Sequence, residues 1–238
     1  NTFAFLFELR ALEQVRTSVC FTKENVKLAG TYAGVSDSYD GPTHHAITDL
    51  AIMRALPNMT VVVAADAVEV RQATFAAAAY PGPVFIRICR NEVPTIFDQS
   101  HPFEIGKAVL LRSGKDVTLI GTGIMVARCL DAADALAKEG IAARVLEMHT
   151  IKPLDNAAVL AAARETGAIV TAEEHTIVGG LGGAVMEALA EEHPVPVVRV
   201  GIKDRFTETG NYTQMLERLG LGVGHITAAA KKALRLRK

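Results

Sequence analysis

Short, wholly apolar runs recur along this chain with room for one helix between them, and no other feature constrains the fold as much. Val61-Val62-Val63 and Ile169-Val170 each lie between stretches of helical spacing, and Val84-Phe85-Ile86 and Leu119-Ile120 each adjoin one. A strand that is apolar on both faces must be covered on both, so strands alternating with helices predict a parallel sheet. Strands are predicted over 26–30, 60–63, 83–88, 117–120, 143–148, 168–172 and 197–200. Helices are predicted over 49–56 with Thr48 as cap, over 68–79, from Gly123 toward Gly140, and from Asp155, as cap, to Gly167. Further helices are expected over 184–192 and from Ile226 toward Lys238. The rhythm breaks between Asn91 and Pro102, where two prolines and a polar run predict a linker. The organisation read from the sequence is a first α/β unit over 1–92, a linker over 93–103 and a second α/β unit over 104–238.

Composition removes several classes of function. The 238 residues suit one large or two small domains. With 25 Lys and Arg against 26 Asp and Glu, no basic field exists to hold nucleic acid. Trp is absent, so base-stacking platforms are not expected either. Cys20, Cys89 and Cys129 are too widely spaced for a zinc motif or a disulfide framework, which suits a reducing, cytoplasmic setting. No apolar run approaches the ~20 residues of a membrane span. The chain begins with Asn1 and not Met, so further residues are expected upstream.

Chemistry-bearing residues cluster after the predicted strands. Asp40-Gly41-Pro42-Thr43-His44-His45 joins a tight turn to a carboxylate and two imidazoles, at a strand end where open α/β sheets bind ligands. The same residues suit a capped turn with solvated histidines. No third ligand has the spacing to make the two histidines a metal site, and no metal-ligating set is expected in the chain. Arg87 and Arg90 can grip a phosphate or carboxylate, or pair with Glu92 or Asp98. The glycines of 179–183 lack the spacing of a phosphate loop and read more simply as close packing at a helix start. Glu173-Glu174-His175 reads as acidic machinery or as a polar cluster at a seam.

Taken in order, these residues resemble a known family. Asn25-Val26-Lys27, Gly34, Asp40-Gly41-Pro42-Thr43-His44, Asp49-Leu50-Ala51, Arg54, Pro57-Asn58, Asp66, Glu69, Gly82-Pro83, Ile86-Arg87 and Arg90 resemble the pyrimidine-binding domain of transketolases. Thr150-Ile151-Lys152-Pro153-Leu154-Asp155, Glu173-Glu174-His175 and Gly179-Gly180-Leu181-Gly182 resemble the transketolase C-terminal domain. The resemblance covers essentially the whole chain, which is similar in size to the C-terminal subunit of a split transketolase. It implies a pyrimidine-binding fold followed by a transketolase C-terminal domain, and transfer of a two-carbon ketol unit between sugar phosphates with thiamine diphosphate as cofactor. It also implies an N-terminal partner subunit that holds most of the diphosphate and its Mg2+ or Ca2+. The expected assembly is a homodimer of this chain within a heterotetramer.

The resemblance assigns roles residue by residue. His44 would bond the donor's oxygen and assist proton transfer. Asp40 would read a hydroxyl, and Arg90 would bind the distal phosphate. The cofactor's pyrimidine would meet Phe3, Phe5 and Phe7, although Leu6 stands at the family's second phenylalanine position. Tyr32 replaces a histidine that contributes to phosphate binding in the family. The family's essential glutamate lies upstream of Phe3. Three alternatives accompany this reading. They are a 2-oxo acid dehydrogenase beta-type subunit, a deoxyxylulose-phosphate synthase fragment, and a non-catalytic regulatory subunit.

Overall fold

The computed structural model describes residues 1–237, and its two sheets follow from the apolar runs. In the first unit, β1 (Thr2–Phe3) leads into a helical stretch over residues 6–20, π-wound except at α1 (Leu12–Gln14). There follow β2 (Lys27–Thr31), α2 (Asp49–Ala55), β3 (Thr60–Val63), α3 (Ala67–Ala79) and β4 (Val84–Arg87). Every residue of β3 and β4 is buried, as runs covered on both faces must be. Residues 88–108 contain no strand or helix.

The second unit contains β5 (Val109–Arg112), β6 (Val117–Gly121), α4 (Met125–Ala137), β7 (Ala143–Glu147), β8 (Thr150–Lys152) and α5 (Asn156–Thr166). It continues with β9 (Ile169–Thr176), α6 (Leu181–Ala190), β10 (Val197–Ile202), α7 (Tyr212–Arg218) and α8 (Val223–Leu236). Local chemistry sets several boundaries. Asp155 caps α5 by accepting from the Ala158 amide at 3.0 Å, and Gly167 ends it with φ +63°. Thr48, by contrast, makes no side-chain cap on α2.

The first sheet has the order β1-β2-β4-β3-β8 and the second β10-β9-β6-β7-β5. Both are parallel except at one edge, where β8 runs antiparallel to β3 and β5 antiparallel to β7. These two short strands were not read from the sequence. The first of them crosses units: β8 leaves the second half of the chain and pairs Val61 with Lys152 and Val62 with Thr150. The core crosses with it. One apolar cluster runs from Leu50, Met53 and Phe85 to Ile151, Leu181 and Val185. Among the described residues no helix is long and apolar enough to cross a membrane.

Candidate active site

The parallel register of β1 and β2 starts the site. It sets Phe3 opposite Thr31, which brings the Phe3 ring to 4.5 Å from that of Tyr32, centroid to centroid. Tyr32 has φ +57°, a left-handed backbone that a bulky residue keeps only where its surroundings over-determine it. Those surroundings are Phe3 and the Arg90 guanidinium, whose Cζ lies 4.8 Å from the Tyr32 ring centroid.

The loop that follows carries Asp40 and His44. Gly41 turns it with φ +80°, and a side chain there would collide with the Thr209 hydroxyl of the second unit. The His44 amide donates to the Gly41 carbonyl at 2.9 Å, and His44 Nδ1 lies 3.0 Å from Thr43 Oγ1. The imidazole sits 4.9 Å from the Phe5 ring and 6.4 Å from that of Phe3. Phe3, Phe5, Tyr32 and His44 therefore form one aromatic group past the carboxyl end of β2. Arg90, beyond β4, adds a cation to it. Asp40 is exposed, and its amide donates to the Asp37 carbonyl at 3.1 Å.

Phe7 lies apart from this group, buried edge-on against Phe85 at 6.2 Å. A spacing of two puts residues on one face only in a strand, and the chain leaves β1 for a helical turn before Phe7. The adjacent histidines take different partners. His45 is buried, with Nδ1 2.5 Å from Thr207 Oγ1 and Nε2 3.1 Å from the Asp37 carbonyl oxygen, and burial lowers its pKa.

The two arginines pair with residues that sequence reasoning did not single out as their partners. Arg90, half exposed, meets Asp37 at 2.5 Å, and the second oxygen of that buried carboxylate has no hydrogen-bond partner among the described residues. Burial pushes the Asp37 carboxyl up, and the Arg90 hydrogen bond pulls against it. Arg87 is buried. It donates to Asp49 at 2.6 Å and to the carbonyls of Ala46 and Glu174 at 3.0 Å each. Neither uses Glu92 or Asp98.

Beneath the loop, Glu173-Glu174-His175 lines the seam between the units. Glu174 accepts from the Val35 amide at 3.0 Å and the Tyr212 hydroxyl at 3.1 Å, and burial pushes it to about 7. His175 Nε2 accepts from the Ala51 amide at 3.3 Å. Glu173 fills the start of α6, taking the Leu181 and Gly182 amides at 2.7 and 2.9 Å. The glycine-rich turn thus uses its free amides on a side chain of its own fold, and no phosphate cradle remains there. Glu8 was also missed in the sequence. It accepts from the Thr48 amide at 3.3 Å, and burial, reinforced by the Asp49 charge, pushes it to about 8. The signal available for it was a lone glutamate inside an aromatic run.

Two family models cover most of the chain. The model described as "Transketolase, pyrimidine binding domain" matches residues 1–95, and "Transketolase, C-terminal domain" matches residues 106–226. The chain belongs to the transketolase family. It is 44% identical over 230 residues to the 6-deoxy-6-sulfo-D-fructose transketolase subunit SqwH of Clostridium sp. (strain MSTE9), covering 97% of this chain and 71% of that protein. It is 40% identical over 219 residues to an apulose-4-phosphate transketolase subunit of Phocaeicola vulgatus, covering 92% and 70%. A split-gene transketolase solved as an inactive β4 tetramer superposes with a TM-score of 0.91 at 47% identity, over 100% of this chain and 75% of that one. With relatives of this build, the dehydrogenase, synthase and regulatory alternatives are not favoured.

Membership in the transketolase family implies dependence on thiamine diphosphate. The residues present fit its flat, amphipathic aminopyrimidine, because Phe3, Phe5 and His44 bring apolar ring faces beside a polar, proton-carrying group. The half-exposed Arg90, anchored on Asp37, fits an anionic substrate tail.

Proposed function

We propose that this transketolase chain is the C-terminal subunit of a two-subunit enzyme that moves a two-carbon ketol unit from a ketose phosphate to an aldose phosphate. The observation that carries the reading is the convergence of His44, Tyr32 and Arg90 with Phe3 and Phe5 in one group, in a chain with both transketolase domains. Thiamine diphosphate, when bound, supplies the carbon nucleophile that takes up the two-carbon unit. Phe3 and Phe5 wall its pyrimidine, while Phe7 packs in the core against Phe85. His44 bonds the donor oxygen and moves a proton at its imidazole. Asp40 reads a substrate hydroxyl and selects one sugar configuration. Arg90 binds the phosphate as a two-pronged donor, and Tyr32 shapes that end of the crevice.

A separate N-terminal subunit carries the diphosphate and its Mg2+ or Ca2+. Two copies of this chain join two such partners in a heterotetramer in the cytoplasm. Subunit naming in the sulfofructose and apulose phosphate relatives supports the division of labour, as does the inactive β4 form of the split-gene relative. Exposed rings of Tyr39 and Phe206, which adjoin Asp40 and Thr207, supply apolar surface beside the crevice for that partner. The test mixes the full chain with its N-terminal partner, thiamine diphosphate and Mg2+, and measures ketol transfer from a panel of ketose phosphates. Turnover that requires both subunits is expected. No turnover with any donor overturns the reading.

A further inference from the structure

Away from the residues assigned to ketol transfer, the fold gathers three ligand-type side chains from three separate parts of the chain. Glu69 comes from the first turn of α3, His101 from the segment between the units, and Glu147 from the last position of β7. One donor atom from each lies within 4.8 Å of the other two, and His101 Nε2 is 3.9 Å from Glu69 Oε1. Both carboxylates are fully buried, and the imidazole is nine-tenths buried.

Four atoms of this cluster have no hydrogen-bond donor among the described residues, namely Glu69 Oε1, His101 Nε2 and both carboxylate oxygens of Glu147, and the Glu69 and Glu147 carboxyls stand side by side. An unpartnered buried carboxylate is costly, and two together are worse. The surrounding structure nonetheless holds them in place. Glu69 Oε2 accepts from the Ala65 amide at 2.7 Å. Asp66 takes the Glu69 amide on one oxygen, at 2.8 Å, and the amides of Ile96 and Phe97 on the other, at 2.7 and 2.9 Å. The Phe97 ring then stacks on His101 with centroids 3.8 Å apart and planes 18° from parallel. Hydrogen-bonded support of this kind is what orients the ligands of a metal site.

We propose that Glu69, His101 and Glu147 form a structural site for a divalent transition-metal ion, with Zn2+ the best match, which staples the two units and the segment between them. Two carboxylates and a neutral imidazole balance a charge of two, and the nitrogen ligand favours Zn2+ over Mg2+ or Ca2+. Ligand atoms around a tetrahedral Zn2+ lie about 3.4 Å apart, so the widest pair, up to 4.8 Å apart, closes by as much as about 1.4 Å through side-chain movement on binding. A single ion gives all four orphaned atoms a partner, with Glu147 binding through both oxygens. Because its ligands come from both units, the ion's binding energy becomes docking energy. The site is independent of ketol transfer.

The test uses the full chain alone, without thiamine diphosphate or the N-terminal partner. After chelator treatment and dialysis, Zn2+ is titrated by calorimetry and the metal bound is counted by mass spectrometry. One Zn2+ per chain is expected, together with a higher Tm. Glu147→Gln and His101→Ala should each weaken binding by at least ~10-fold, since a lost ligand costs no less than a lost supporting contact. Circular dichroism shows whether each variant folds, and Glu69→Gln replaces any that does not. Failure of the chelated chain to take up Zn2+ overturns the proposal. So does equal affinity in the folded variants, and in either case a proton shared by Glu69 and Glu147 is what holds the cluster.

Discussion

At the scale of single residues, the division of roles in the crevice is open to direct test. His44→Ala should lower ketol transfer by the assembled enzyme at least ~10²-fold, the usual yield of a positioned proton carrier, while the subunits still assemble by size-exclusion chromatography. An unchanged rate would remove His44 from the chemistry. Arg90→Ala should raise KM for phosphorylated acceptors more than for free sugars, because only the former offer a tail for the guanidinium. Equal effects on both would leave Arg90 as the anchor of Asp37 and no more. Glu174 yields a pH prediction. Burial raises its carboxyl from 4.5 to about 7, so across that window the folded chain keeps a proton that the unfolded chain has released. Stability is therefore highest below about pH 4.5 for this group and falls as pH rises to 7, by about 3 kcal/mol in all. Glu174→Gln should remove that fall, read as the difference between wild-type and variant urea midpoints at pH 5 and pH 7.5.

At the scale of elements, Asp66 shows how one carboxylate sets two pieces of structure. It caps α3 through the Glu69 amide and anchors the inter-unit segment through Ile96 and Phe97. Asp66→Ala should lose a cap worth about 1 kcal/mol and strand two further amides. A total of about 2–4 kcal/mol is expected by chemical denaturation. Asp66→Asn, which keeps one acceptor oxygen, should lose less. The strands and helices themselves were largely legible, because β3, β4 and β6 are apolar runs that only a covered sheet can hold. The Asp40-to-His44 turn was legible for a similar reason, since its turn chemistry is local. What could not be read depends on distance along the chain. β8 has three residues and takes its meaning only from Val61 and Val62, about ninety positions earlier. Asp49 looks like an ordinary first-turn acid until Arg87 arrives beside it. Glu69, His101 and Glu147 follow no ligand spacing at all, because three elements deliver them separately.

At the scale of the whole molecule, the question is whether two domains share a chain or share a core. Three observations favour a shared core. β8 closes the edge of the first sheet, an edge that would otherwise expose the main-chain groups of β3. Arg87 of the first unit donates to the Glu174 carbonyl of the second, and the apolar cluster is continuous across the seam. Removing the guanidinium therefore does more than open one ion pair. Asp49 would stay fully buried, with Oδ1 already lacking a hydrogen bond among the described residues and Oδ2 newly deprived of its own. Arg87→Met should accordingly cost about 3–5 kcal/mol, and the loss should destabilise both units together. Calorimetry decides the matter. The wild-type chain should unfold in one transition whose calorimetric and van't Hoff enthalpies agree, and Arg87→Met should move that single transition to lower temperature. If the variant instead resolves into two transitions, with only the first unit's shifted, β8 and the seam join domains that were already stable apart. One shifted transition means that each unit completes the fold of the other.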